Sequence, residues 1–285
     1  MKIAREMCDF GYSDPLHHAR VARAFAVNNI GGARNAVTIA PTELEVMERN
    51  LISFKGAKAP APFVTFGAVH ESKIVDPETR HNGKVQKSLR IFPGAVDKAR
   101  LCSLFGMVKK ASYIAVPAWN GALQFSTKQE SAEKKDFWDD GAASQTSGAR
   151  VPSKYQSTPR KSRVARSAIM DGVPSFFDDF LSQVAKKGIL GTNEKITVFD
   201  LREWYQGDKV DEKPLFGQIL AKAPLLVDEE IPVESFVGVL YTAGYWMRDK
   251  ELNLNLNILG VVLFMSRPAD YRSSKNHPLR KKSKK

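Results

Sequence analysis

Between Asp140 and Ser167 the chain carries almost no large apolar side chain apart from Val151, Tyr155 and Val164, and is otherwise dominated by Gly, Ala, Ser, Thr, Pro, Lys and Arg. Nothing in such a stretch offsets the entropy lost on ordering, so it cannot belong to a packed core. Any core must be drawn from the residues before and after it. The expected organisation is an N-terminal lobe over 1–139, a basic flexible linker over 140–167, a C-terminal lobe over 168–266 and a basic tail over 267–285.

Charge follows the same division. Residues 141–170 contain Arg150, Lys154, Arg160, Lys161, Arg163 and Arg166 and no acid. Residues 267–285 contain Arg267, Arg272, Lys275, Arg280, Lys281, Lys282, Lys284 and Lys285 against Asp270 alone. Removing both stretches (43 minus 14 basic, 31 minus 1 acidic) leaves 29 basic and 30 acidic residues, so the whole excess of +12 sits on the arms. Charge gathered this way is a multivalent counterion for a polyanion, either nucleic acid or an anionic membrane surface.

The remaining sequence is that of a globular protein, 43% hydrophobic and 26% charged. Two cysteines, Cys8 and Cys102, make no disulfide framework, and no Asn-x-Ser/Thr acceptor occurs. The first residues lack a secretory apolar core, and the longest apolar run, Ile258 to Met265, is far short of the ~20 residues that span a bilayer. These features imply an intracellular setting.

Local patterns predict a mixture of elements. Asp14-Pro15 opens a helix that stops at Gly31-Gly32, and Thr42-Glu43-Leu44-Glu45 reads as a capping box for a second helix with Leu44, Met47 and Leu51 on one face. Phe63–Val69 and Ser88–Phe92 read as strands, and Lys98–Val108 as a short buried helix, with a strand as the alternative. Asn120-Gly121 between two β-rich runs predicts a type I′ hairpin. Glu130 to Trp138 is helical in composition, and Phe176, Phe177, Phe180, Leu181 and Val184 predict a helix ending at Gly188. Ile196–Leu201 reads as a strand. Pro232 is expected to open a helix with Val233, Phe236, Val237, Leu240, Tyr241 and Gly244 on its buried stripe. Leu252, Leu254, Leu256 and Ile258 alternate with Glu251, Asn253, Asn255 and Asn257, the period of a strand, and the run continues to Met265. Helices and antiparallel strands without a βαβ rhythm give an α+β expectation, as two lobes or as one large domain with a disordered basic loop.

Catalytic signatures are weak. Gly188-Ile-Leu-Gly191-Thr-Asn-Glu-Lys195 lacks phosphate-loop spacing. Cys8, Asp9, Asp14, His17 and His18 cluster, but adjacent helical histidines point ~100° apart. Cys102 lies in an apolar run, and no signature pairs it with His70. Asp200 and Glu203 ahead of Asp211-Glu-Lys213 loosely match a metal-dependent nuclease. Arg202, Trp204 and Tyr205 beside them suit base stacking or the cover of a core strand. The row Asn253, Asn255, Asn257 is either a solvated strand face or a binding ladder for a subunit or a nucleic-acid backbone. No cofactor or metal is implied.

Three functions follow from the charge pattern. The expectation is a non-enzymatic assembly protein that binds nucleic acid or nucleocapsid through Arg150, Lys154, Arg160, Lys161, Arg163, Arg166, Lys275, Arg280, Lys281, Lys282, Lys284 and Lys285. The alternatives are a peripheral protein assembling on anionic membrane, and a metal-dependent nucleic-acid enzyme. Thr158-Pro159 is a proline-directed phosphorylation pattern whose phosphate would weaken the basic linker's grip on a polyanion. Arg280-Lys281-Lys282-Ser283-Lys284-Lys285 has the character of a nuclear import signal, read by an import receptor. In size, basicity, balanced body and charged arms the chain resembles the matrix or coat-type structural proteins of RNA viruses, among them the matrix proteins of plant-infecting negative-strand viruses. That resemblance implies self-association into a homo-oligomeric lattice, contact with nucleocapsid or membrane, a place in the virion, and passage through the nucleus.

Overall fold

The computed structural model describes residues 28–30, 32–80, 82–131, 176–202, 223–226 and 228–266. All of them belong to one compact unit formed by 1–131 and 174–285, and a second unit, 132–173, lies outside the described residues.

Thirteen strands and two α-helices make up the described architecture. The strands are β1 (Asn29–Ile30), β2 (Ala33–Asn35), β3 (Leu44–Val46), β4 (Ile52–Phe54), β5 (Phe63–Thr79), β6 (Lys84–Phe92) and β7 (Ala118–Trp119). They continue with β8 (Ala122–Ser126), β9 (Glu130–Ser131), β10 (Thr197–Asp200), β11 (Leu225–Leu226), β12 (Phe236–Arg248) and β13 (Glu251–Met265). The helices are α1 (Ala95–Lys109) and α2 (Phe176–Lys187). Strands dominate, so the α+β expectation is wrong: the body is a mostly-β protein built on a five-stranded barrel.

Pairing runs β5–β12–β13–β8–β6 and returns from β6 to β5, which closes the ring. Every step is antiparallel except β13–β8, which is parallel at Asn257 and Ser126. Strands from both sides of 132–175 therefore share one barrel. Its interior is filled from alternate positions, among them Phe63, Leu89, Phe125, Val239, Tyr241, Leu256 and Leu263. Rings of Phe63 and Phe125 pack on Tyr241 at 5.6 and 4.9 Å, and the Tyr241 hydroxyl meets Thr65 Oγ1 at 2.9 Å.

A second apolar layer covers part of the outside. Phe66, Phe236, Leu240, Val262 and Phe264 pack with Phe199 and Phe180 of β10 and α2. Gly260 makes room for this: a Cβ there would lie 3.3 Å from the Phe180 ring and 3.2 Å from the Thr197 carbonyl. Because both faces of β12 are buried over this half, its sequence is apolar at nearly every position. That is why Val233 to Gly244 fits a helical stripe equally well, and why the helix expected after Pro232 is in fact a strand. Val233 itself is 56% exposed.

The helix expected from Thr42 is also absent. Glu43 does reach back, its Oε1 accepting the Ala40 N–H at 3.0 Å, but only one 3-10 turn forms. The chain then makes the β3–β4 hairpin, turning through Arg49 and Asn50 at φ 61° and 57°. Glu130 and Ser131, expected to start a helix, pair with β6 instead. Other expectations hold. The strands at 63–69 and 88–92 form within longer strands, α1 covers 98–108, and α2 ends at Gly188 with φ 75°. Asn120 and Gly121 adopt φ 49° and 85° in the predicted tight turn, although β7 is only two residues long. The first helix, Asp14 to Gly31, falls mainly outside the described residues.

Candidate nucleic-acid interface

The predicted site residues Arg150, Lys154, Arg160, Lys161, Arg163, Arg166, Lys275, Arg280, Lys281, Lys282, Lys284 and Lys285, and the phosphorylation candidate Thr158, lie outside the described residues. So do Cys8, Asp9, Asp14, His17 and His18, and Glu203, Trp204, Tyr205, Asp211 and Lys213 of the nuclease-like stretch. Asp200 is described and is engaged: the Arg202 guanidinium donates to both of its oxygens, at 2.6 Å to Oδ2 from Nη2. Burial pushes the Asp200 carboxyl up, and the Arg202 bonds more than reverse this, holding it below the ordinary range. Cys102 is partly buried on α1 and its thiol is pushed up by burial; the His70 imidazole packs on Phe92 at 4.8 Å and is pushed down by burial. Among the described residues no three His, Cys, Asp or Glu side chains converge on a metal position.

The described surface has its own concentration of unusual groups, which the charge count did not reveal. Of the large apolar side chains left exposed, Met107, Tyr113, Trp119, Trp246 and Met247 fall on three segments that touch. The C-terminal part of α1 reaches the β12–β13 hairpin, where the Tyr245 hydroxyl donates to the Phe105 carbonyl at 2.6 Å and Lys109 Nζ lies 5.6 Å from the Tyr245 ring. The segment after α1 bridges the same hairpin: Ala115 pairs with Asn253 through Ala115 N to Leu252 O and Leu254 N to Ala115 O, both 2.8 Å. Asn253 in turn stands opposite Trp246 in the ladder. Trp119 is four residues beyond Ala115, within about 14 Å along the chain.

Trp119 and Trp246 are 55% and 46% exposed. Trp119 lies over Arg90, whose Cζ is 5.5 Å from the ring. Arg90 is itself buried and spends its donors within the protein, on Gln124 Oε1 at 3.2 Å, on Glu78 at 3.1 Å and on Glu71. The indole therefore rests on a fixed cation and turns its free side to solvent. Around the hairpin and α1 stand Lys109, Lys110 and Lys250, none of which makes an ion pair among the described residues; Arg248 faces Asp249 at 3.4 Å. Exposed aromatic faces beside lysines that make no ion pair suit an unpaired nucleic-acid strand, offering stacking for its bases and countercharge for its phosphates.

An apolar groove of about 590 Å³, which shares Met107 with this surface, lies between α1 and residues 36–41, lined by Ala36, Ile39, Val96 and Leu104, with Arg100 and Ser103 as its polar side chains. It lacks the convergent polar groups of a small-molecule site.

Numbering only the barrel strands, the closed order is 1-2-3-5-4-1 with strands 3 and 5 parallel. This is the topology of the oligonucleotide- and oligosaccharide-binding barrel, a fold whose ligands lie on strands 2 and 3 and on the loops joining strands 1–2 and 4–5. Here strands 2 and 3 are β6 and β8, which carry Arg90 and Gln124; β8 also pairs with β7, the strand of Trp119, and strands 4 and 5 form the hairpin that carries Trp246.

No family model and no curated protein matches the chain. Among solved structures, a single-stranded DNA-binding protein from bacteriophage Enc34 in complex with single-stranded DNA is similar at 9% identity and a TM-score of 0.33, over 79% of this chain and 96% of that one. A likeness at that level fixes neither fold nor function.

Proposed function

We infer that this protein is a non-enzymatic binder of single-stranded nucleic acid, with the barrel's aromatic end holding bases and the basic arms holding phosphates. The observation that carries the reading is the exposure of two indoles, Trp119 and Trp246, on touching segments that also carry Lys109, Lys110 and Lys250, which make no ion pair among the described residues. The barrel class alone supports oligosaccharides equally, because fold does not decide function. The +12 excess gathered on 141–170 and 267–285 selects the polyanion. Assembly of many copies along one strand is the form in which the sequence's matrix or coat character fits this reading.

The test is binding of the full chain to a labelled single-stranded oligonucleotide across 50 to 200 mM salt, beside anionic vesicles. Affinity for the oligonucleotide is expected to fall steeply with salt, and deletion of residues 267–285 to weaken binding and flatten that dependence. Binding to vesicles without binding to the oligonucleotide would replace this reading with the membrane one.

A further inference from the structure

We propose that Trp246, Asn253 and Asn255 form a base-reading subsite that accepts bases offering an exocyclic amino group and disfavours uracil and thymine. The proposal rests on the nucleic-acid reading and specifies what one part of that site recognises.

A directional hydrogen-bond chain runs along the outward side of the ribbon. Thr242, Asn257 and Asn255 stand on the outward side of the β12–β13 ladder, with Thr242 opposite Asn257 and Gly244 opposite Asn255. Thr242 Oγ1 donates to the Gly188 carbonyl, which can only accept. The Thr242 hydroxyl is thereby left as acceptor for Asn257 Nδ2 at 3.3 Å. Asn257 Oδ1 then accepts from Asn255 Nδ2 at 2.6 Å. Each amide orientation is fixed by the one before it, and the chain ends with Asn255 Oδ1 directed away from its donor. Asn253 is fixed independently, since its Nδ2 donates to the Glu251 carbonyl at 2.9 Å.

Both amides thus commit one of their two N–H donors inside the protein, which fixes their orientation, and each keeps its carbonyl oxygen. Asn253 and Asn255 are partly exposed, and Asn253 is the direct cross-strand neighbour of the exposed Trp246 ring. Cross-strand neighbours on one face have Cβ atoms about 5 Å apart, so a base packed on the indole brings its edge to the amide row. Two neighbouring acceptors match the amino groups of cytosine, adenine and guanine. Uracil and thymine instead present carbonyl oxygens on both sides of one N–H, and these would face the amide oxygens.

Homopolymers of deoxycytidine and deoxyuridine of about 12 nucleotides, within the span of one barrel of this kind, differ in that edge while matching in charge and ring size. Measured with the full chain at two salt concentrations, the cytosine strand is expected to bind about fivefold or more tightly, by the same ratio at both salts, because the phosphate contribution cancels. Asn253→Ser and Asn255→Ser should each bring the ratio toward one while leaving the salt dependence unchanged. Equal affinity for the two strands, a preference for uracil, or a cytosine preference that survives both substitutions would overturn the proposal and leave the nucleic-acid reading standing. Failure to bind either strand would overturn both.

Discussion

The two halves of the β12–β13 ribbon share a continuous ladder and serve opposite ends. From Phe236 to Leu240 the outward side chains meet Phe66, Phe264 and α2, and the ribbon is buried on both faces. Beyond Gly244, where Leu51 bridges the strand and fills the space a Cβ would take, the same outward side carries Trp246, Asn253 and Asn255, and Trp246 is half exposed. Between them Thr242 and Asn257 are both buried and tie the ribbon to the Gly188 carbonyl at the end of α2. The outward face is covered over one half only; in the other the inward side chains Ala243, Tyr245 and Leu254 stay buried while the outward side presents aromatic and amide groups.

Substitutions in the two halves should therefore separate stability from binding. Phe264→Ala, in the covered half, is expected to lower unfolding free energy by about 3–5 kcal/mol in urea denaturation. Trp246→Ala, in the open half, should change it by about 1 kcal/mol or less and act on nucleic-acid affinity instead. Similar stability losses in the two variants would abolish the distinction.

A second contrast concerns acid. Burial pushes the Glu230 carboxyl up, but it accepts from Ser72 Oγ and from the N–H groups of Ile74, Val75 and Asp76, at 3.0, 2.9 and 3.1 Å for the last three, and these bonds leave it below the ordinary range. A depressed folded-state pKa contributes stability that is complete above the unfolded value of about 4.3 and is lost as pH falls through the folded value. Glu43, Glu194 and Asp200, also lowered, act with the same sign. Glu230→Gln should lower stability at neutral pH and make the acid side of a stability-against-pH curve shallower. An unchanged acid limb would show that the carboxylate cradle on β5 contributes nothing.

How much of this could be read from the sequence depended on whether a segment is buried on one face or two. β13 was legible where Leu252 to Ile258 alternate with polar residues, and the Asn120-Gly121 turn because few dipeptides tolerate two positive φ angles. α2 showed itself by a single apolar face. β12 did not: with both faces buried its period of two vanishes, and only its aromatic and β-branched composition, with no charge from Phe236 to Met247, marked it as a strand. The capping signal at Glu43 was real chemistry in a turn too short to become a helix. Barrel closure between β5 and β6 and the parallel β13–β8 contact leave no local trace in a sequence. The amide row was visible as an oddity, but its donor direction depended on Gly188, more than fifty positions away in the chain. Nothing in the sequence distinguishes Trp119 and Trp246 from core tryptophans; only their exposure does.

The most direct measurement of the central claim is the affinity of the full chain, arms intact, for a single-stranded oligonucleotide, compared with that of a Trp119→Ala, Trp246→Ala double variant at a salt concentration where the arms are screened. Base stacking contributes about 1–3 kcal/mol per base, so the variant is predicted to bind at least about fivefold more weakly with its thermal midpoint nearly unchanged. Equal affinity of the two proteins would place binding in the arms alone and contradict a barrel that holds bases.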